Sequence, residues 1–327
     1  MFVFATLAFV ACSSLDIDED EKGWVSFSTV EKCVSKATSS QDTKINEFQL
    51  LVFNQEGIME AFGYSEHGED VKLKVADQRI LTCYAVVNVP ISDVDLSSVK
   101  TRSELLSKTS YLRDNSLTSM QMIGSVSRQF TEGESVPISV SRFAAKVTVS
   151  EVRRNMRSES YRAQEFKVLG MYVTNVNTSC PYSLVATESA TSDWLNRMGY
   201  QSSVCDALLW EGSINTEIPE GASYDTEHSF YVYPNPSHSN AQSGSFTPRY
   251  TRLVVKASLG GTVYYYVVNI KDVGSEGSLE HNHQYILNLE ITGPGSLTED
   301  DLSSNVVSGP GVRVVSWTSG PSVSDSF

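Results

Sequence analysis

Histidine and cysteine are scarce, with five of each among 327 residues. The cysteines Cys12, Cys33, Cys83, Cys180 and Cys205 show no C-x-x-C spacing, which excludes a zinc ribbon or a thioredoxin-like pair. Positive charge is also short. Lys and Arg total 25 against 39 Asp and Glu, giving a formal net charge of -14 with no basic stripe to offset it locally. Such a surface repels phosphate backbones, so nucleic acid is not an expected partner. No G-x-S-x-G elbow, H-E-x-x-H helix, Walker loop or G-x-G-x-x-G turn occurs. Ser, His and Asp are present without diagnostic spacing. The expectation is a protein with no catalytic residues, no cofactor and no metal, and therefore not an enzyme. The pair His281 and His283 would share one face of a strand, a spacing compatible with a metal. Two histidines alone are a weak ligand set, and a pair without a ligand is expected.

What is present is material for packed cores. Hydrophobic residues make up 40% and charged residues 20%, a folded rather than disordered composition. The length suggests about two domains. Period-two alternation and short β-branched or aromatic runs dominate, broken by Gly, Pro, Asn and Ser. Strands are expected at 24–30, 45–53, 71–75, 81–89, 166–175, 230–233, 252–257, 263–270 and 285–291, with 135–149 extended and 153–160 a loop. Asn54 to Gly57 reads as a turn, and Gly260-Gly261 as a two-residue hairpin turn. Helix is expected only at a capping box beginning at Thr101 and at 193–198. Many short strands at this spacing indicate an all-β protein of two antiparallel sandwiches.

Four segments are proposed: 1–12, 13–23, 24–141 and 142–327, with the domain boundary near Ser141. Residues 1–11 are mostly apolar, too few for the ~20 that a spanning helix needs but suited to the core of a secretory signal. The cationic residues that usually open such a signal are missing, as a start further upstream would explain. Phe9-Val10-Ala11-Cys12 resembles a bacterial lipobox, which makes Cys12 the candidate lipidation site. Five acids fill the six positions 16–21, a run that repels itself and reads as a solvated tether. It also resembles the acidic stretch that sends lipoproteins to the outer surface. Of the other thiols, Cys83 lies in an apolar strand and is expected to be buried and free, and the pairing of the rest stays open. Tyr264, Tyr265, Tyr266, Trp194 and Trp210 could stack on a sugar, but alternation places at least one face of that tyrosine run in a core.

Several runs together resemble one family. Residues 44–57 (KINEFQLLVFNQEG), 85–90 (AVVNVP) and 140–147 (VSRFAAKV, an R-x-A-A-K-V pattern) carry the likeness in the first half. Residues 172–176 (YVTNV), 230–235 (FYVYPN), 265–270 (YYVVNI) and 282–287 (NHQYIL) continue it in the same order. The whole is similar to the Bacteroidales-type fimbrillins. That resemblance implies two tandem transthyretin-like Greek-key β-sandwich domains, a lipoprotein precursor bound for the outer membrane with palmitate on Cys12, and a fimbrial (pilus) subunit supporting adhesion. It implies a processing protease that removes the first strand, and other fimbrial subunits as partners. The removable strand is then 24–30, with Val25, Phe27 and Thr29 on one face. The candidate donor strand is 312–317, carrying Val312, Val314, Val315 and Trp317; the alternative is an ordinary last strand of its own domain. The family cuts after arginine, yet no arginine precedes Arg79 here. Lys36-Ala37 is the best candidate bond, with Lys32 and Lys44 behind it. An uncut, lipidated subunit would serve as an anchor at the pilus base. The alternative reading of the chain is a surface lipoprotein or tip adhesin that binds a glycan or a host protein.

Overall fold

Alternation of apolar and polar residues favours half-buried strands, and the chain is built from them, antiparallel except where 23–31 lies parallel to 135–142 and 283–291 parallel to 145–154. The computed structural model describes residues 22–31, 44–76, 78–185, 194–195, 206–237, 249–270, 279–303, 306–308 and 312–317. Cys12, the acidic run, Cys33, Lys36, Ala37 and Cys205 lie outside the described residues.

The first half contains β1 (Gly23–Glu31), β2 (Phe48–Phe53), β3 (Met59–Ser65), β4 (Val71–Ala76), β5 (Ile80–Val87), β6 (Thr109–Tyr111), β7 (Met122–Gln129) and β8 (Ser135–Arg142). All but β6 form one sheet in the order β3-β2-β5-β7-β8-β1-β4. Its two ends meet. A Cβ on Gly63 of β3 would lie 2.5 Å from Val71 Cγ1 and 3.1 Å from Leu73 Cδ2 of β4, so only glycine allows that approach. The sheet therefore wraps around a core of alternate residues, including Val25, Phe27, Leu50, Val71, Cys83, Val136 and Ile138.

The second half contains β9 (Ala145–Arg154), β10 (Phe166–Thr174), β11 (Val176–Asn177), β12 (Ser179–Pro181), β13 (Trp194–Leu195), β14 (Trp210–Glu211), β15 (Thr216–Glu217), β16 (Ser223–Tyr224), β17 (His228–Val232), β18 (Arg252–Leu259), β19 (Thr262–Asn269), β20 (His283–Ile291), β21 (Val307–Ser308) and β22 (Val312–Ser316). One sheet runs β14-β10-β18-β19 with β15 also on β10; the other runs β16-β9-β20-β21 with β17 also on β9 and β22 on β20. Val147, Phe230, Tyr285 and Leu287 of one and Phe166, Val255, Ala257 and Tyr266 of the other share a buried core. The architecture is an all-β sandwich.

Core does not stop at the junction. Phe-Gln-Leu-Leu-Val-Phe of β2 is buried on both faces, and Leu51 and Phe53 belong to the same cluster as the second-half core. The buried amide of Gln49 is fully used: it donates to Val89 O and Val94 O, and its oxygen accepts from Leu96 N. β6 pairs with β12, and Tyr233 Oη accepts from Asn115 Nδ2 at 2.8 Å and bonds Ser110.

Several boundaries differ from the sequence reading. β2 begins at Phe48 rather than at 45, and β5 ends at Val87 because Asn88 takes φ +57° and spends its side chain on Lys44 O and Met120 O. The extended segment 135–149 is two strands, broken at Phe143-Ala144, where the chain leaves the first sheet for the second-half sheet. β9 runs through Arg154, whose buried guanidinium donates to the carbonyls of Ile218, Tyr161, Arg162 and Gln164; loop is confined to 155–158 before a short helix, Glu159–Arg162. Trp194 and Leu195 pair with Asn177 and Val176 as strand, not helix. The capping box is present: Thr101 Oγ1 accepts from Glu104 N, and the helix covers Arg102–Ser107. Gly57 (φ +77°), Gly260 (+59°) and Gly261 (+84°) form their turns as expected.

The two faces of β1 predict opposite mutational outcomes. Phe27 is wholly buried, and Phe27→Ala is expected to lower stability by about 3–5 kcal/mol in a denaturant titration. Trp24 is 56% exposed, and Trp24→Ala is expected to cost less than about 1 kcal/mol.

Candidate assembly site

The first strand among the described residues is an interior strand of its sheet. Gly23 to Phe27 pair antiparallel with β4, and Ser26 to Glu31 pair parallel with β8. The ladder is extended by Gly133 N donating to Trp24 O (2.8 Å) and Ser26 N donating to Glu134 O (3.0 Å). Both edges of β1 are thus committed. Its inward row is Val25, Phe27 and Thr29, the three residues the alternation pointed to. Phe27 meets Phe130 edge-on, with ring centroids 5.2 Å apart. Thr29 is a poorer fit, because its buried hydroxyl finds no hydrogen-bond partner among the described residues. An orphaned hydroxyl of this kind costs about 1–3 kcal/mol. Taken away, β1 would leave a trough floored by Val71, Val75, Val136, Ile138 and Val140, walled by two unpaired backbone edges.

A charged clamp closes the seam where the sheet's ends meet. Glu60 of β3 accepts from Arg79 Nη1 and Nη2 at 2.8 and 2.7 Å and from Lys22 Nζ, just ahead of β1, at 3.5 Å. Partial burial works to raise the Glu60 carboxyl, but the hydrogen bonds from Arg79 and the charges of Arg79 and Lys22 outweigh it and hold the group below its ordinary value.

At the other end of the chain, β22 lies antiparallel on β20, pairing Val312 with Leu287 and Val314 with Tyr285. These two valines are half-buried against the second-half core, Arg313 is exposed, Val315 is half-buried, and Trp317 is buried. The candidate donor residues therefore occupy the edge of their own domain in this structure. The removable and donor segments belong to different sheets.

The remaining candidates resolve separately. His283 opens β20, but His281 and Asn282 form a turn with Asn282 at φ +55°, so the two imidazoles do not share a strand face. Among the described residues no three His, Cys, Asp or Glu side chains converge as metal ligands, and no helix is long and apolar enough to cross a membrane. Tyr266 is buried, while Tyr264 and Tyr265 are half-buried; Trp210 is stacked on Tyr172 at 4.6 Å. Cys83 and Cys180 are buried free thiols, and burial pushes both upward, Cys180 to about 12. Sequence reasoning missed β3 and β7, whose short mixed runs alternate weakly, and missed the Glu60 clamp, whose members are far apart along the chain.

No family model and no curated protein matches the sequence. The fold, however, is similar to solved structures along almost its whole length. A candidate cell adhesion protein from Bacteroides eggerthii superposes with a TM-score of 0.66 at 16% identity, covering 91% of this chain and 96% of that one. A fimbrilin from Porphyromonas gingivalis gives 0.60 at 17% identity, covering 92% and 99%. A C-terminally truncated tip fimbrial protein from the same organism gives 0.53 at 13% identity, covering 90% and 100%. The chain has the fold of the fimbrillins.

The clamp predicts a pH dependence. Because the folded value of Glu60 lies below the ordinary one of 4.5, its contribution is present above that value and is lost as pH falls through the folded one. Denaturation midpoints followed from pH 6 to 3 should fall more steeply for the wild type than for Glu60→Gln, with the two curves converging at the acid end.

Proposed function

We propose that the chain is a structural subunit of a cell-surface fimbria, assembled head to tail by strand exchange and supporting adhesion. The observation that carries this reading is the position of β1: the first strand among the described residues sits inside a sheet, hydrogen-bonded on both sides, with an apolar row in the core. Once the chain is cut between β1 and β2, that strand is held by non-covalent forces alone. Its loss would expose unpaired N–H and C=O groups beside an apolar trough, the two features that strand addition repairs. The C-terminal strand Val312–Ser316 suits the trough, with Val312 and Val314 on one face and a length matching the inward row of β1. A donor at one end and an acceptor at the other cannot close on themselves, so the product is a filament.

The N-terminal segment supplies the timing. Cys12 carries the lipid, the acidic run 16–21 tethers the domain to the outer membrane, and Lys36-Ala37 is the bond for a processing protease. A cut there would detach the lipid and β1 in one step. A subunit left uncut keeps its trough filled by its own strand and remains on the membrane as an anchor. The role is structural, not catalytic.

Limited digestion of the full chain with a lysine-specific protease tests this. Expected are a new N-terminus at Ala37 and SDS-resistant ladders that disappear when residues 312–327 are deleted. Processed protein that stays monomeric, or ladders indifferent to that deletion, would refute strand exchange.

A further inference from the structure

The run Arg142-Phe143-Ala144-Ala145-Lys146-Val147 has so far no role beyond joining β8 to β9. Both of its cations lie on one aromatic ring. The Arg142 guanidinium sits 4.1 Å from the centroid of Trp317, and Lys146 Nζ is 6.0 Å from it. The ring of Tyr231 flanks Trp317 at 5.5 Å. Arg142 is 0% exposed and heads the large, fully buried side chains, while Trp317 is 2% exposed. Asn282 backs the slot. Its backbone N–H donates to Ala144 O at 2.9 Å, its backbone carbonyl accepts from Trp317 N at 3.0 Å, and its side-chain Oδ1 accepts from Arg142 N at 3.3 Å.

Within residues 312–317, Trp317 is the one buried side chain among those described; the valines are half-buried and Arg313 is exposed. The deepest burial along this short edge strand is therefore at its last ring, beyond the five-residue ladder to β20. A desolvated cation on an indole face shifts an equilibrium roughly 30-fold. We propose that Arg142, Lys146 and Tyr231 form a latch that holds the C-terminal strand on its own domain through Trp317, and that withdrawal of this ring frees the strand. Its consequence for assembly rests on the reading of Val312–Ser316 as the donated strand; the latch itself does not. Held by the latch, the strand is withheld from a neighbour, so opening of the slot limits polymerisation.

Amide hydrogen exchange on the intact, uncut chain tests the latch. Trp317→Ala should speed exchange across 312–316 by about tenfold or more, with β9 and β18 unchanged and Trp317→Phe intermediate. Unchanged exchange at 312–316 in Trp317→Ala overturns the latch. Arg142→Gln leaves the sequence of the strand intact and should do the same. After removal of residues 1–36 it should also polymerise several-fold faster than wild type, whereas an equal or slower rate overturns the withholding role. If Arg142→Gln does not fold, the tryptophan variants still decide whether the latch exists. If processed wild type does not polymerise at all, strand exchange fails while the exchange data on the uncut chain still judge the latch.

Discussion

The structure depends on one strand being hydrogen-bonded on both edges. β1 joins β4 to β8, and among the described residues β4 pairs with no other strand. Five residues of β1 pair with β4 and six with β8, so most of its length serves one neighbour or the other. Its core row adds Val25 and Phe27, each worth about 1.5–3 kcal/mol of burial. The wrapped shape follows. Because β3 and β4 are consecutive yet lie at opposite ends of the strand order, the sheet must curl to bring them together, and Gly63 and the Glu60 clamp complete the seam. A strand so placed is central to stability and yet is the first strand among the described residues.

The two ends of the chain contrast in depth. β1 buries Val25 and Phe27 in the middle of a sheet, whereas β22 half-buries three valines on the edge beside β20, and the chain just after it adds one buried ring, Trp317. Under the proposed strand exchange, the shallow holding would suit the donated strand and the deep holding the one released by a cut. The orphaned hydroxyl of Thr29 makes the resident strand an imperfect filler of its own groove.

Much of this was legible in the residues. Clean alternation in 24–30 gave the inward row of β1, and Gly260-Gly261 gave the hairpin joining β18 and β19, because both signals are local. The break at Phe143-Ala144 was not legible: the apolar pattern runs through it, and the change of sheet is imposed by tertiary packing. The helix expected around Trp194 failed at Trp194 and Leu195, where pairing with Val176-Asn177 overrides local preference. The left-handed Asn282 likewise depends on distant partners, Ala144 and Arg142, and no spacing rule near 282 announces them. The R-x-A-A-K-V run was recognisable as a pattern, but its contact with Trp317, some 175 positions away, needed the fold.

A helical reconstruction of the assembled filament tests the central claim most directly. The account predicts that residues 312–317 of one subunit lie between β4 and β8 of the next, in the place that residues 23–31 occupy in the unprocessed chain. Finding each subunit's own 23–31 still between its β4 and β8 would contradict it.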